Sequence, residues 1–265
     1  MCRIAAYIGP EVPLENIVVH PKHSLLVQSQ NATEAKLSVN GDGFGFAWYA
    51  ADLQPDPQPG LYRDVLPAWS DGNLVSLCRM IRSRLFIAHV RASTMGETAR
   101  ANCHPFSHGT WSFCHNGQVP HFRAIRRRME AALPDPLYEA RLGSTDSEML
   151  FLTLLANGLD TDPAAAIRAT LSRVGAAQAT GPVRMTCVFS DGTTLYAFRH
   201  ASDHNSPTLY ASRALDHGGF ALASEPLCGN AKAWRALTPD TLYRLSKTGD
   251  LSEERLFPAA HLLSA

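Results

Sequence analysis

The second residue of the chain is a cysteine, and the chain opens Met1-Cys2-Arg3. Removal of Met1 would leave a free α-amine and a thiol on the same residue. The amine has an ordinary pKa of about 7.7–8.0, so it can accept a proton at neutral pH, and the thiol becomes a strong nucleophile once it is deprotonated. Cys2 is therefore a candidate nucleophile with its own general base. The alternative is an ordinary cysteine that happens to follow the initiator.

Four later segments carry residue types that hydrolysis of a carboxamide requires. They are residues 40–48 (NGDGFGFAW), 89–94 (HVRAST), 111–117 (WSFCHNG) and 144–148 (STDSE). Asn116 can donate from its side-chain amide and Gly117 from its backbone N–H, and each such donor to a tetrahedral oxyanion is worth roughly 3 kcal/mol. An Asn-Gly pair is also typical of a hairpin turn. The cysteine and histidine before the pair, together with Cys2, favour the oxyanion site.

Two charged residues could bind the amino-acid end of a substrate. Arg91 follows the apolar run 85–90, which predicts a buried strand, and a guanidinium binds a carboxylate through two parallel hydrogen bonds. Asp146 could accept a substrate ammonium group at an exposed helix start. The surrounding sequence also predicts a capping box, with Thr145 as N-cap and Glu148 bonding back to it. Both roles of this segment are compatible.

In order and spacing, Cys2 and the four segments resemble the class II glutamine amidotransferase domain, an N-terminal-nucleophile (Ntn) hydrolase. The motifs span roughly residues 2–150, and the later Ala223–Leu227 (ASEPL) is similar to stand-alone members of that family. The resemblance implies an α+β fold, a four-layer αββα sandwich of two mainly antiparallel sheets between helical layers. It implies Cys2, Asn116 and Gly117 as catalytic residues and Arg91, Thr94 and Asp146 as substrate-binding residues.

The resemblance also implies a reaction, in which the Cys2 thiol attacks a γ-glutamyl amide, releases ammonia or an amine, and leaves a thioester that water cleaves to glutamate. Since the sequence continues only to Ala265, we expect no fused synthase. We favour a hydrolase of γ-glutamyl compounds, similar to those of glutathione degradation or ergothioneine biosynthesis. A glutaminase subunit that supplies ammonia to a separate synthase is the second alternative. A catalytically silent binding module is the third, and the joint presence of the site residues argues against it.

Composition narrows the partners and the compartment. The chain has 24 basic and 24 acidic residues. It lacks the basic stripe interleaved with aromatic residues that would indicate nucleic-acid binding. No signal peptide and no apolar run of about eighteen residues is evident, so we expect a cytoplasmic protein without a membrane partner. The six scattered cysteines need no disulfides there, and because no CxxC spacing occurs we expect no metal site. We expect no cofactor, a small γ-glutamyl substrate, and a synthase or a second copy of the chain as the candidate protein partner.

Hydrophobic periodicity predicts alternating strands and helices. Strands are predicted at 43–49, 84–91, 111–115, 183–189 and 193–199, and helices at 73–83, 120–133, 146–157 and 163–174. The last helix is expected to stop at Gly175. No repeat or linker divides the chain, so we expect a single domain, residues 1–265. The proline-rich loop at 51–60 and residues 95–106 are the expected walls of the substrate pocket.

Overall fold

A computed structural model describes residues 2–35, 37–50, 57–93, 97–177 and 181–258. Most of the proline-rich loop predicted at 51–60 lies outside the described residues. Among the residues that are described, no helix combines the length and the apolar character needed to cross a lipid bilayer.

Strands and short helices alternate along the described chain, and each strand and helix predicted above is present, with ends that differ by a few residues. The strands are β1 (Arg3–Pro13), β2 (Phe44–Tyr49), β3 (Gly60–Asp64), β4 (Arg82–Val90), β5 (Phe106–His108), β6 (Trp111–Gln118), β7 (Arg184–Ser190), β8 (Leu195–Ala201), β9 (Tyr210–Ser212), β10 (Phe220–Ala223), β11 (Trp234–Ala236), β12 (Thr241–Leu245) and β13 (Leu251–Arg255). The α-helices are α1 (Glu15–Val18), α2 (Leu25–Gln30), α3 (Leu74–Met80), α4 (Phe122–Glu130), α5 (Asp135–Glu139), α6 (Asp146–Ala156) and α7 (Pro163–Ala177).

The strands form two antiparallel sheets. The first sheet has the order β11-β9-β10-β1-β4-β2-β3, and the second has the order β13-β12-β8-β7-β6-β5. The first strand of the chain, β1, lies inside its sheet between β10 and β4, where Ala5 is paired with both Ala223 and Ala88. In the second sheet β6 lies between β5 and β7. The strands β1 and β6, which lead into or carry candidate site residues, are therefore each held by a paired strand on both sides.

The space between the two sheets is filled by apolar side chains from both. Successive residues of a strand point to opposite faces, and on β1 one face carries Ile4, Ala6 and Ile8. These residues form one buried cluster with side chains of the second sheet, among them Cys114 and Val188. Burial of this kind contributes roughly 25 cal/mol per Å² of apolar surface, so the paired inner faces hold the sheets together.

The outer face of each sheet is covered by helices. Tyr7 on β1 and Phe86 on β4 pack with Ile17 of α1 and Leu74 of α3 in a second buried cluster. On the other sheet a third cluster joins strand and helix residues, including Phe113, Phe189, Phe151, Ile167 and Leu171. Helices, sheet, sheet and helices therefore follow one another in four layers. This arrangement confirms the α+β, αββα fold that the sequence predicted.

One predicted helix end is wrong. Helix α7 continues through Gly175 to Ala177. A glycine inside a helix costs only about 1 kcal/mol relative to alanine, and the buried Ile167, Leu171 and Val174 pack the helix onto the second sheet. The tertiary contacts therefore outweigh the local preference for a stop.

A buried carboxylate ties the start of the chain to the end of β10. Glu225 Oε1 lies 2.9 Å from Arg3 Nη1, and both side chains are fully buried. Oε2 of the same carboxylate accepts hydrogen bonds from the Thr33 backbone N–H and hydroxyl at 3.0 and 2.6 Å and lies 2.6 Å from His23 Nε2, while Oε1 also accepts from the Glu34 N–H at 3.0 Å. Burial works to raise the pKa of Glu225, but the bonds from Thr33 and His23 outweigh it and lower the pKa to about 2.

We predict that Glu225→Gln destabilises the protein by roughly 3–5 kcal/mol at pH 7, because the change leaves Arg3 charged and unpaired in the interior. A carboxylate with a lowered pKa stabilises the fold above its unfolded pKa of about 4.3 and loses that contribution as the pH falls towards 2. Urea unfolding across pH 2–7 should therefore show the gap between wild type and variant closing below pH 4.

Glu253→Gln is the matched control, since Glu253 pairs with Arg235 at 2.6 Å on the surface. An exposed ion pair contributes at most about 1 kcal/mol. Equal losses in the two variants, or a gap that does not change with pH, would contradict the role given to the buried pair.

Candidate active site

A cavity of about 290 Å³ opens where β1 begins, β4 and β6 end and β7 begins. Because neighbouring strands run antiparallel, the start of one strand lies beside the end of the next, so these four strand ends lie on the same side of the two sheets. Four of the predicted site residues, Cys2, Arg91, Gly117 and Asp146, line this cavity together. They come from four segments that are far apart in the sequence.

Cys2 stands immediately before β1 and is partly buried. The Ala92 N–H donates to Cys2 Sγ at 3.4 Å, and Sγ lies 3.6 Å from the Ala92 carbonyl oxygen. Arg3 Nε donates to the Cys2 carbonyl oxygen at 2.7 Å. Burial raises the pKa of the Cys2 thiol. The thiol is therefore protonated at neutral pH and requires a base before it can attack a carbonyl carbon.

Strand alternation turns Cys2 and Asn116 toward the same interior. Cys2 lies two residues before Ile4, and Asn116 lies two residues after Cys114, and both of these apolar residues belong to the cluster between the sheets. Asn116 is fully buried and is not among the residues that line the cavity. Neither its Nδ2 nor its Oδ1 has a hydrogen-bond partner among the described residues. Such an unpaired buried amide costs about 1–3 kcal/mol and calls for a functional explanation.

Gly117 lies on β6 where the strand backbone comes very close to β7. Its φ angle is +149°, and a Cβ atom there would lie 1.9 Å from the carbonyl oxygen of Arg184. No side chain fits in that space. The glycine therefore lets the backbone of the cavity wall pass close beside Asn116.

Arg91 is held by the segment 40–48. Its backbone N–H donates to the Gly43 carbonyl at 2.8 Å, and its own carbonyl accepts from the Asp42 N–H at 2.9 Å. Arg91 Nη1 donates to the Asp42 carbonyl oxygen at 3.3 Å. Only 3% of the residue is exposed, so the glycine-rich segment positions the guanidinium at the buried end of the cavity.

Asp146 is the first residue of α6, and the structure corrects two details of its setting. The residue is 7% exposed, which is buried rather than exposed, because its Oδ2 accepts from the Val119 N–H at 2.8 Å and its Oδ1 from the Ser147 N–H at 2.9 Å. Thr145 is the N-cap, as predicted. Glu148 does not bond back to it, since its carboxylate accepts from the Leu142 and Gly143 N–H groups instead.

Three buried histidines lie at or next to the site; the sequence indicated pocket lining or core packing for His104 and His115, and both line the cavity. Burial lowers the pKa of His89 to about 3, and burial also lowers the pKa of His104 and His115. The rings of His89 and His104 stack with centroids 4.2 Å apart. His115 Nε2 lies 3.3 Å from the Arg184 carbonyl and Nδ1 lies 2.9 Å from Ser147 Oγ. All three are neutral at pH 7, so Arg91 supplies the positive charge of the buried end.

The remaining predictions have mixed outcomes. Thr94 lies outside the described residues. His104, from the predicted wall at 95–106, lines the cavity, and so does Leu37, which no sequence signal indicated. Residues 57–60, the described end of the proline-rich loop, do not line it. Within the described part of the chain no three His, Cys, Asp or Glu side chains converge as metal ligands would.

Comparison with known sequences gives the same family over most of the chain. The sequence profile described as "Glutamine amidotransferases class-II" matches residues 19–227. The chain is 36% identical over 160 residues to "Probable glutamine amidotransferase DUG3" of Saccharomyces cerevisiae. The aligned region covers 58% of this chain and 45% of that protein. It is 30% identical over 228 residues to the gamma-glutamyl-hercynylcysteine sulfoxide hydrolase of Mycobacterium tuberculosis, with 85% of each chain covered.

Comparison with solved structures agrees with the sequence result. A glutamine aminotransferase class-II domain protein from Silicibacter pomeroyi superposes with a TM-score of 0.75 at 38% identity, over 97% of this chain and all of that one. Glutamine phosphoribosylpyrophosphate amidotransferase from B. subtilis shares the fold at 15% identity, with a TM-score of 0.65 over 97% of this chain and 49% of that one. The chain therefore belongs to the class-II glutamine amidotransferase family.

Proposed function

We propose that the protein is an N-terminal-cysteine amidohydrolase that cleaves the γ-amide of a γ-glutamyl compound and releases glutamate and an amine. One observation carries the proposal, which is that Cys2, Arg91, Gly117 and Asp146 line the same cavity. Both sheets contribute to that cavity, so we treat residues 1–265 as one catalytic domain. The six free cysteines are compatible with the cytoplasm, where thiols stay reduced.

Arg91 and Asp146 are suited to hold the amino-acid end of a glutamyl group. The guanidinium can bind the α-carboxylate through two parallel hydrogen bonds. The Asp146 carboxylate is already oriented by the N–H groups of Val119 and Ser147, and its negative charge suits the α-ammonium. With both ends of the α-carbon bound, the γ-carbonyl would extend toward Cys2.

The reaction begins with proton transfer from the Cys2 thiol to its own α-amine, once the residue before Cys2 has been removed. The thiolate attacks the γ-carbonyl carbon and forms a C–S bond. The C–N bond then breaks, and the leaving amine takes the proton held by the α-ammonium. The α-amine of Cys2 then takes a proton from water, and the resulting hydroxide attacks the thioester carbonyl. The C–S bond breaks to release glutamate, and the sulfur takes back the proton from the α-ammonium.

Asn116 and Gly117 are the proposed oxyanion donors. The Asn116 amide is buried without a partner among the described residues, so it need not give up a protein contact to serve an oxyanion. A donor that is fixed before the reaction stabilises developing charge without reorganisation.

Two readings of the activity differ in what happens to the nitrogen. A free-standing hydrolase releases an amine into solution, and a glutaminase subunit passes ammonia to a synthase. The relative matched over 85% of both chains is named a hydrolase, which supports the first reading. The relative named a glutamine amidotransferase is matched over 45% of its own length and keeps the second reading open.

We predict that Cys2→Ala abolishes glutamate release and that an uncleavable residue before Cys2 has the same effect, because the first change removes the nucleophile and the second acylates its base. Glutamate release measures both effects. Intact mass should show that Met1 is removed from the wild type, and a glutamine-like diazoketone should label Cys2 alone. Cys228→Ala is the control, since Cys228 is an exposed free cysteine outside the cavity. Full activity of the blocked chain, or labelling at Cys103 or Cys114, would remove Cys2 from the proposed role.

Asn116→Ala and Arg91→Lys should distinguish a loss in the chemical step, seen in kcat, from a loss in substrate binding, seen in KM. We expect Asn116→Ala to lower kcat roughly a hundredfold or more, because one oxyanion donor is lost. Arg91→Lys keeps the charge and loses the bidentate geometry, so we expect KM to rise roughly tenfold with a smaller change in kcat. Steady-state kinetics on one γ-glutamyl substrate tests both. A near-normal kcat for the Asn116 variant would contradict the oxyanion assignment.

The protein alone should release glutamate from some γ-glutamyl amide much faster than from glutamine. A panel of glutamine, glutathione and γ-glutamyl amines, assayed without any added protein, measures this preference. If the whole panel fails and glutaminase activity appears only when a synthase from the same cell is added, the subunit reading replaces the hydrolase.

A further inference from the structure

Leu37 is an apolar residue that lines the cavity and is nevertheless 57% exposed. A single exposed leucine on a protein surface needs no explanation. Here the exposed side chain borders a cavity that is also lined by a buried guanidinium, that of Arg91, and a buried carboxylate, that of Asp146. A ligand in the cavity would cover it and gain the hydrophobic free energy of that contact.

The cavity has a charged buried end and an open end. Arg91 and Asp146 are 3% and 7% exposed, so the α-carboxylate and α-ammonium of a glutamyl group belong at the buried end. Leu37 offers no partner for either charge. The part of the substrate that reaches Leu37 is therefore the part beyond the γ-amide, the leaving amine.

The segment that carries Leu37 is held in place on both sides. The Ala32 N–H donates to the Ser38 carbonyl at 2.8 Å, which closes the segment into a loop. Within it, Thr33 and Glu34 are bonded to the buried Glu225 carboxylate. The hydroxyl of Tyr210 donates to the Glu34 carboxylate at 2.9 Å. Leu37 is thus presented at the opening by a loop whose base is anchored in the protein interior.

Besides Arg91, the described residues that line the cavity include one further guanidinium, and its charge is paired. This is Arg184, whose Nη2 donates to Asp203 Oδ2 at 2.5 Å and whose Nε donates to Oδ1 at 3.2 Å in a bidentate pair. The Ala92 side chain, which also lines the cavity, is apolar. Apart from Arg91 and Asp146, the described lining residues therefore offer a leaving amine no charge that is not already paired within the protein.

We propose that Leu37 is a specificity-determining residue for the leaving amine, and that the preferred substrates are γ-glutamyl amides whose amine carries a neutral alkyl or aryl group. This inference rests on the hydrolase function proposed above. It gives a substrate class to the same site. It also predicts that glutamine is a poor substrate, because the ammonia it releases is too small to contact Leu37.

The test is a series of γ-glutamyl n-alkylamides, from glutamine through the methyl, ethyl and butyl amides, whose alkyl members share nearly the same amine chemistry. Full burial of one methylene is worth roughly a fourfold change in an equilibrium constant. We expect kcat/KM of the wild type to rise with each added methylene by about twofold to fourfold. Leu37→Ser should remove most of that rise, because its hydroxyl replaces the apolar contact.

Leu66→Ser is the matched control, since Leu66 is 48% exposed and does not line the cavity. It should keep the wild-type dependence on chain length. Melting temperatures of both variants should stay near that of the wild type, because neither leucine is in the core. Glutamate release that does not depend on chain length, or equal dependence in wild type and Leu37→Ser, overturns the inference alone. No release from any member by a chain that begins at Cys2 overturns the proposed function, and the inference with it.

Discussion

The carboxylate of Glu225 lies in the interior with the guanidinium of Arg3, and the position of the candidate nucleophile depends on this pair. Two buried charges are expensive to desolvate, and the expense is offset only when the remaining hydrogen-bonding capacity is used. Glu225 uses it on Thr33, Glu34 and His23. Arg3 in turn donates to the Cys2 carbonyl. One carboxylate thus connects the start of β1 with the loop that carries the open wall of the cavity.

The electrostatics of the site explain why the α-amine is the base in the proposed reaction. The pKa of the Cys2 thiol is raised by burial, so the thiol does not ionise by itself at neutral pH. His89, with a pKa lowered to about 3, is too weak a base to take its proton. Both ring nitrogens of His115 are engaged, with Ser147 and the Arg184 carbonyl. An amine with an ordinary pKa of about 8 on the same residue is better matched to the task.

The sequence predicted the parts of the site that depend on local pattern and missed those that depend on distant contacts. The strand before Arg91, the cap at Thr145 and the strand before Asn116 are all visible over a few residues. Glu225 meets Arg3 across 222 residues, and Leu37 lies in a loop without periodicity. The stop expected at Gly175 was wrong because the buried Ile167, Leu171 and Val174 pack α7 onto the second sheet and outweigh the local preference of the glycine. The catalytic and substrate-binding roles assigned to the site residues, Thr94 included, stay predictions.

The two ends of the cavity differ in how freely they can change. At the buried end, Arg91, Gly117 and Asp146 are fixed by backbone hydrogen bonds and by close packing against β7, so a substitution there disturbs both structure and chemistry. At the open end, Leu37 is exposed on a loop that is anchored at Thr33, Glu34 and Ser38 through backbone hydrogen bonds. Replacing an exposed side chain alters the surface offered to a leaving amine at little expense in stability. In the proposed reaction, binding of the glutamyl group and selection of the amine can therefore vary independently in this protein.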